Sequence, residues 1–225
     1  GLVEVENDTV LKHLTQRTSL ARLGYDYIVT DGPDVRGIDV ALLYDSTKVN
    51  ILNSKPLHVS LDGDMTRDIL YAKALIEGRD TLHAMVCHLP SKLGGAAASE
   101  WKRRLAKKVI QAEVDSILGV DSLANIVVMG DMNDKVNDDL IGKNNIMQEW
   151  ERVGKATHKY QGIWSCLDQF YISNTLKNKT KARICSPDWL LEEAVKYLDY
   201  RPKRTYVGYR YQGGYSDHLP IMLRI

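Results

Sequence analysis

The stretch Ile126-Val-Val-Met129 is followed directly by Gly130-Asp-Met-Asn-Asp134. Four consecutive apolar residues predict a strand that is buried on both faces, and the glycine ends the run. Asp131 and Asn133 are two residues apart, so on an extended chain their side chains point the same way. Such a carboxylate can hold a divalent cation, and such an amide can bind a phosphoryl oxygen or a water. The alternative is a strand end closed by an Asx turn without chemistry.

Three other predicted strand ends also carry acidic or imidazole side chains. Glu4 and Glu6 follow a short apolar segment at the start, and His88 ends a strand predicted at Thr81–Cys87. The segment Ser216–His218 precedes a terminal strand that is predicted from alternating apolar residues. Because these positions are far apart in sequence, we expect a site assembled from several strand-end loops.

Length and composition predict one soluble, monomeric domain over residues 1–225. The chain is 44% hydrophobic, which is enough to bury a sizeable core. Thirty basic residues against 29 acidic ones give a net charge of +1, which excludes a global field that attracts nucleic acid. The three cysteines lack CxxC or zinc-ligand spacing, so neither a disulfide framework nor a structural zinc site is predicted. No apolar run is long enough to span a membrane, and the compartment is left open.

The order of the predicted elements favours antiparallel or mixed sheets covered by helices over a strict alternation of strand and helix. Helices are predicted from Asn7 or Asp8 through Gln16, over Ala97–Leu118 and around Asn145–Arg152. Strands are predicted at Tyr25–Thr30, Asp39–Tyr44, Val49–Leu52, Ile69–Leu75, Thr81–Cys87, Asp168–Ile172 and near Arg183–Ser186. A nucleotide-binding fold of the Rossmann type is excluded, because no GxGxxG follows a strand.

The long predicted helix carries an apolar stripe and a basic face. The stripe expected to face inward is Trp101, Leu105, Val109 and Ala112. Five basic residues are expected to lie mainly elsewhere, on a solvated face: Lys102, Arg103, Arg104, Lys107 and Lys108.

Six short motifs follow one another along the chain: EVEN at 4–7, RGIDVALLY at 36–44, HLPSK at 88–92, GDMND at 130–134, LDQFYIS at 167–173 and SDHLP at 216–220. In this order they resemble the endonuclease/exonuclease/phosphatase superfamily, and their wording is most similar to uncharacterised bacterial members. The resemblance implies an α+β fold of four layers, α/β/β/α, with two mostly antiparallel sheets between helices. It also implies hydrolysis of a phosphoester assisted by Mg²⁺ or Mn²⁺.

The resemblance implies a role for each acidic or amide residue of the motifs. Glu4 corresponds to the main Mg²⁺ ligand, and Asp217 corresponds to a residue that supports the metal or its waters. Asp131 corresponds to the acid that aligns or deprotonates the attacking water. Asn133 corresponds to the amide that holds a phosphoryl oxygen.

The resemblance also implies roles for two histidines. His218 corresponds to a residue that contacts the phosphate or acts as general base, and Asp168 corresponds to the carboxylate that orients it. His88 corresponds to a second residue that contacts the phosphate or acts as an acid. The alternatives are a core-edge histidine at His88, with Asp39 as a possible partner, and a turn cap at Asp168.

Basic residues near the motifs are predicted to bind phosphate or substrate: Lys92 beside His88, Arg36 in RGIDVALLY and Arg204 among the tyrosines before SDHLP. A plain turn explains Lys92 equally, and a solvated loop packed by its tyrosines explains Arg204 equally. The substrate class is left open between a small phosphoester, a lipid head group and a nucleic acid. Four further histidines are expected to be structural or exposed: His13, His58, His83 and His158.

The sequence departs from the family pattern at its start. Family members begin with a strand whose Asn helps to position the metal or the nucleophile, and GLVEVEN starts after that strand. If that strand is absent, we expect neighbouring strands to lack backbone partners and the metal site to have less support. The second hypothesis is therefore a catalytically inactive module of the same fold that binds phosphate ligands or nucleic acid.

Overall fold

The computed structural model describes residues 1–92, 94–136, 140–141 and 144–225. The α-helices of these residues are α1 (Asp8–Arg17), α2 (Ala96–Val120) and α3 (Gln148–Arg152). Short 3-10 helices lie at Ser19–Arg22, Asn174–Leu176, Asp188–Leu190 and Val195–Tyr197. The side chain of Asn7 caps α1, because its Oδ1 accepts a hydrogen bond from Val10 N at 3.2 Å.

Two sheets dominate the described part of the chain. The larger has the order β10 (Asp168–Ile172), β7 (Asn125–Asp131), β6 (Asp80–His88), β5 (Ile69–Ile76) and β4 (Val49–Leu57). Its neighbours are antiparallel except β6 and β7, which run parallel and are connected through α2. The second sheet has the order β1 (Leu2–Val5), β3 (Asp39–Asp45) and β2 (Tyr25–Val29).

Shorter strands form antiparallel pairs outside these sheets. They are β8 (His158–Tyr160) with β9 (Ile163–Ser165), β11 (Lys181–Ile184) with β16 (Ile221–Arg224), β12 (Leu191–Ala194) with β13 (Asp199–Pro202), and β14 (Tyr206–Val207) with β15 (Arg210–Tyr211). A cavity of about 280 Å³ lies between β1 and the start of β16. Its lining includes Gly1, Val3 and Ile221, and it also reaches Asp168 and His218.

The hydrophobic clusters stack helix, sheet, sheet and helix. Ile110 of α2 packs in one cluster with Val128 on the outer face of the five-stranded sheet. On the opposite face, Val86 packs in a second cluster with Val40 of β3. Leu11 of α1 belongs to a further cluster on the outer face of the three-stranded sheet. The predicted four-layer α/β/β/α arrangement is therefore confirmed.

The inward face of α2 differs from the predicted one. Arg103 and Lys107 are buried, whereas Trp101 is 37% exposed. Arg103 can be buried because its guanidinium donates to Ser99 Oγ at 2.8 Å and lies 3.7 Å from a carboxylate oxygen of Asp134. Lys107 Nζ donates to the same carboxylate at 2.9 Å. The prediction that these two residues lie on a solvated face was wrong, since a pattern of apolar residues does not reveal a buried ion pair.

Several element boundaries also differ from the predicted ones. β4 continues to Leu57 through a bulge between Ile51 and Asn53, and the third helix begins only at Gln148. The short strands β8, β9 and β12–β15 were not predicted, because two to four residues give too little alternation to be recognised. No helix in the described ranges is both long and apolar enough to cross a membrane.

Candidate active site

Three candidate residues form a row across neighbouring strands of the five-stranded sheet. His88 is the register partner of Asp131 between β6 and β7, and Asp131 is the partner of Asp168 between β7 and β10. Residues directly opposite each other in adjacent strands point to the same face. All three are buried, and they lie at the edge of the face that packs on the second sheet. The sheet register therefore brings together residues that are far apart in sequence.

Gly130 permits the close approach of β7 to β6 just before this row. Its φ is +137°, a conformation that L side chains rarely adopt. A Cβ at this position would lie 1.9 Å from the carbonyl oxygen of Cys87. Only glycine fits there, so the first residue of GDMND serves the backbone and the second carries the functional side chain.

His218 joins the row from the segment that precedes β16. Its Nδ1 donates to Asp168 Oδ2 at 2.7 Å, which matches the orienting carboxylate that the family resemblance implies. Burial disfavours the charged imidazolium, but this hydrogen bond and the charges of Asp168, Asp131 and Asp217 raise the pKa of His218 to about 9. The imidazolium form is therefore stable at neutral pH.

Asp131 is a buried carboxylate among other carboxylates. Burial and the charge of Asp168 raise the pKa of Asp131 well above its usual range, while the charge of His218 opposes this. The charge of Glu4 raises it further, so Glu4 lies within electrostatic reach of Asp131. A pKa closer to neutrality suits a carboxylate that accepts a proton from water.

Asn133 holds the carboxylate of Asp131 in place. Its backbone N–H donates to Asp131 Oδ1 at 2.7 Å, which closes an Asx turn, and its φ is +48°. Its Nδ2 donates to Asp131 Oδ2 at 3.1 Å and to Leu89 O at 3.0 Å. The Asx turn that stood as the alternative is thus present, and it fixes the carboxylate that carries the candidate chemistry.

His88 lies at the end of the row as a neutral imidazole. Its Nε2 is 3.5 Å from Asp131 Oδ2. Burial, together with the positive charges of Arg67 and Arg36, lowers the pKa of His88 to about 2. Asp39, the alternative partner, instead accepts hydrogen bonds from Thr30 Oγ1 at 2.8 Å and from a backbone N–H at 2.9 Å. Asp39 is needed by the loop after β2, so its assignment to His88 was wrong.

Glu4 lies at a bulge in β1, on the other sheet. The pairing of β1 with β3 skips this residue, and its φ is +58°. A left-handed conformation at a residue other than glycine costs about 1–2 kcal/mol, and bulges commonly redirect a side chain next to active sites. The side chain is 57% exposed, and Arg36 Nη1 is 4.0 Å from it. Glu4 is therefore a residue of the candidate site whose side chain is accessible to solvent.

Arg67 is a buried residue of the site that the sequence analysis missed. Its Nε donates to the carbonyl oxygen of His88 at 3.0 Å, and its Nη2 donates to that of Leu89 at 3.2 Å. Its Nη1 donates to Asp34 Oδ2 at 2.8 Å. Arg67 thus fixes the end of β6 from which His88 projects. Only its position directly before an apolar strand could have drawn attention to it.

His158 and Asp217 lie on the far side of His218. The ring centroids of His158 and His218 are 4.6 Å apart, and His158 Nε2 is 3.9 Å from Asp217 Oδ2. Burial and the neighbouring His218 lower the pKa of His158 to about 4. His158 was expected to be structural or exposed, and no sequence spacing indicated its contact with the candidate site.

The three predicted phosphate-binding residues lie in different places. Arg36 is within electrostatic reach of His88 and beside Glu4. Lys92 lines a cavity of about 620 Å³ on the α2 side, together with Arg103 and Asp134. Arg204 Nη2 donates to the carbonyl oxygen of Lys159 at 3.0 Å, and its charge acts on His158. The three residues therefore have different neighbours, and their role in binding phosphate or substrate stays a prediction.

The acidic residues of the site fit a hard divalent cation. The charge of Glu4 acts on Asp131, and the charges of Asp131 and Asp217 act on His218. Carboxylate oxygens are the ligands that Mg²⁺ and Mn²⁺ prefer. Burying a carboxylate beside others of the same charge is unfavourable unless a cation compensates for it. The carboxylate donors therefore suit the predicted ion in type. Within the described ranges, the three ligand residues whose donor atoms lie within 4.8 Å of one another are His158, Asp217 and His218, a group that does not include Glu4 or Asp131.

A comparison with protein-family models agrees with the resemblance that the motifs carry. The profile described as "Endonuclease/Exonuclease/phosphatase family" matches residues 1–225. The chain belongs to the endonuclease/exonuclease/phosphatase family. No curated protein sequence matches this family member.

Solved structures share the fold of this endonuclease/exonuclease/phosphatase chain. Truncated TDP2 from Caenorhabditis elegans has a TM-score of 0.67 at 17% identity, over 99% of this chain and 81% of that one. The human Nocturnin catalytic domain with bound sulfate has a TM-score of 0.61 at 17% identity, over 99% of this chain and 77% of that one. A mannosyl-6-phosphatase from Bacteroides thetaiotaomicron has a TM-score of 0.60 at 15% identity, over 96% and 81%. At these identities the likeness concerns the fold.

Proposed function

We propose that this chain is a divalent-metal-dependent phosphoester hydrolase in which water attacks phosphorus. The proposal rests above all on the buried row of His88, Asp131 and Asp168, which His218 completes at 2.7 Å from Asp168. Family membership supports the reaction class. A row of this kind supplies a proton acceptor, an oriented imidazolium and a neutral imidazole within one pocket.

Glu4 is proposed as the main ligand of Mg²⁺ or Mn²⁺, with Asp217 supporting the ion or its waters. Such an ion, when bound, neutralises phosphoryl oxygens and makes a bound water more acidic. Asp131 orients the attacking water and accepts its proton, and Asn133 holds the carboxylate of Asp131 in the required direction. A direct bond from Asn133 to a phosphoryl oxygen stays a prediction, because its amide group already donates to two acceptors.

The histidines are proposed to serve the phosphate. His218, held as imidazolium by Asp168, donates a hydrogen bond to a phosphoryl oxygen and opposes the charge that develops there. His88, held neutral by burial, contacts the phosphate from the other end of the row. Arg36, Lys92 and Arg204 are proposed to bind more distant parts of the substrate, since they lie on different sides of the row.

The substrate is proposed to be a phosphoester of a small molecule, a lipid head group or a nucleic acid. The test is hydrolysis of bis-(p-nitrophenyl) phosphate, p-nitrophenyl phosphate, a hexose 6-phosphate, sphingomyelin vesicles and DNA, with titration of Mg²⁺ and Mn²⁺. We expect metal-stimulated release that EDTA abolishes. We also expect His218→Ala to lose at least about 10²-fold in turnover while its circular dichroism is unchanged. Absence of metal-stimulated cleavage across the panel contradicts the proposal.

A phosphate-binding module without turnover is the second candidate. The observation that favours it is the 57% exposure of the Glu4 side chain, which leaves this proposed metal ligand open to solvent. Calorimetry with inorganic phosphate and with a single-stranded oligonucleotide distinguishes the two candidates. Binding without turnover supports the module, and metal-dependent turnover excludes it.

A further inference from the structure

His158 is held beside His218 by the backbone. The two residues form an antiparallel β-bridge, and Leu219 N donates to the carbonyl oxygen of Thr157 at 2.7 Å. Thr157 is fully buried, and its Oγ1 accepts from the backbone N–H groups of Leu167 and Asp168, both at 3.2 Å. Two other chain segments, 167–168 and 218–219, therefore fix the backbone at His158, so its closeness to His218 does not depend on a mobile side chain.

His158, Asp217 and His218 together offer metal-binding atoms of mixed type. One donor atom from each of the three residues lies within 4.8 Å of the donor atoms of the other two. Two imidazole nitrogens and one carboxylate oxygen suit a transition-metal ion such as Zn²⁺, whereas Mg²⁺ prefers oxygen ligands alone. This donor set differs in chemistry from the carboxylates at Glu4 and Asp131.

Asp168 supplies a further feature of zinc sites. Histidines that bind Zn²⁺ usually donate their other ring N–H to a carboxylate, which fixes the ring orientation. Asp168 Oδ2 accepts from His218 Nδ1 at 2.7 Å, which leaves Nε2 of His218 as the nitrogen that can bind a metal ion. Asp217 is 47% exposed, so an ion can reach the three residues from solvent.

We propose that His158, Asp217 and His218 form a site for one transition-metal ion of the Zn²⁺ class. The ion binds Nε2 of His218 as that nitrogen releases its proton to water. Occupancy of this site inhibits phosphoester hydrolysis, because the same N–H otherwise donates to the phosphate. The statement that the bound ion inhibits hydrolysis rests on the proposed function, whereas the proposed metal site does not. Mg²⁺ and Zn²⁺ then have opposite effects on the same protein.

The site is tested with Co²⁺, whose visible absorption reports imidazole ligation without any turnover. The purified wild-type protein, His158→Gln and the control His13→Gln on the exposed face of α1 are titrated with Co²⁺, and Zn²⁺ is then added as a competitor. We expect one equivalent to bind to the wild type and to His13→Gln, and Zn²⁺ to displace it. His158→Gln should bind at least about tenfold more weakly, as expected when a ligand is lost. Equal Co²⁺ affinity in His158→Gln overturns the site.

The inhibition is tested separately, by titrating Zn²⁺ into the Mg²⁺-supported hydrolysis assay. His158→Gln should keep its Mg²⁺-supported rate within about threefold and should need at least about tenfold more Zn²⁺ for half inhibition. If Co²⁺ binding is lost but sensitivity to Zn²⁺ is unchanged, the inhibitory role is wrong and the site stands. If no hydrolysis occurs at all, the proposed function fails, and the Co²⁺ titration still decides the site. Should His158→Gln fold poorly, Asp217→Asn on the exposed loop gives the same comparison of Co²⁺ affinities.

Discussion

His218 and Asp168 are 2.7 Å apart and largely buried, whereas Glu4 of β1 and Arg36 of the loop before β3 are 4.0 Å apart and about half exposed. We call the first pair, with Asp131 and His88, the acid–base side of the site, and Glu4 with Arg36 the cation side. The acid–base side is fixed by strand register, so its geometry exists before any ligand arrives. The cation side is held by a single bulge and faces solvent. The five predictions below test whether this difference governs activity and stability.

The largest effect is expected from Asp168→Asn on the acid–base side. The change removes the carboxylate that orients and charges His218, so turnover should fall by about 10²–10⁴-fold. Because that carboxylate raises the pKa of His218 to about 9, the alkaline limb of the activity profile should move to lower pH in the variant. The measurement is kcat against pH, with the exposed Asp188→Asn as control. An unchanged alkaline limb would show that Asp168 does not set the charge of His218.

The same pair also makes stability depend on pH. His218 has a higher pKa in the folded state than its ordinary value of 6.5. Its contribution to the free energy of unfolding is therefore fully present below about pH 6.5 and is lost as the pH rises through about 9. Urea unfolding of the metal-free wild type should show this loss, and Asp168→Asn should show less of it.

A large effect on stability is expected from Arg67→Met, which acts beneath the acid–base side. The change removes the donor to Asp34 Oδ2 and to the carbonyl oxygen of His88, together with one of the two donors to the carbonyl oxygen of Leu89. Breaking a buried ion pair costs about 3–5 kcal/mol. The measurement is the urea unfolding midpoint at neutral pH. A loss below about 1 kcal/mol would mean that the end of β6 does not depend on this guanidinium.

A smaller effect is expected from Glu4→Gln on the cation side. The exposed carboxylate contributes little to packing, so the unfolding midpoint should barely move. The Mg²⁺ concentration for half-maximal activity should rise by about 10–100-fold. Glu6→Gln, two residues away and also exposed, serves as the control. Equal metal dependence in the two variants would remove Glu4 from the metal site.

The smallest effect on stability is expected from Arg36→Ala. Arg36 contacts the same Asp34 as Arg67, at 3.4 Å, but it is half exposed, and such pairs contribute below about 1 kcal/mol. If Arg36 binds the substrate phosphate, KM should rise severalfold while the unfolding midpoint stays within error. Comparison with Arg67→Met then separates the buried guanidinium from the exposed one. A change in the unfolding midpoint as large as that of Arg67→Met would contradict the division into two sides.

The sequence predicts the strand ends well and their mutual contacts only in part. Apolar runs before Asp131 and His88 report burial directly, and the motif resemblance supplies the pairing of Asp168 with His218. The register that sets His88 opposite Asp131 comes from pairing between distant strands, which local periodicity does not encode. Arg67 and His158 were missed for the same reason, since their partners are backbone groups and rings from remote segments.

The sequence analysis also failed to predict that two charged residues of α2 are buried. Arg103 and Lys107 look like surface residues on a helical projection, yet Asp134 compensates both of them beneath α2. Because the carboxylate of Asp134 pairs with both side chains, Arg103 and Lys107 lie in the interior and not at the surface as expected. Patterns that score hydrophobicity alone overlook such compensation.

Because β6 and β7 run in the same direction, the polypeptide leaves both strands at one edge, immediately after His88 and Asp131. Insertions or deletions farther along the two departing segments, after the HLPSK and GDMND motifs, would reshape the rim of the pocket while leaving its floor untouched. New substrate preferences can therefore arise through sequence changes at the rim, without changes in the position of the reactive groups below it.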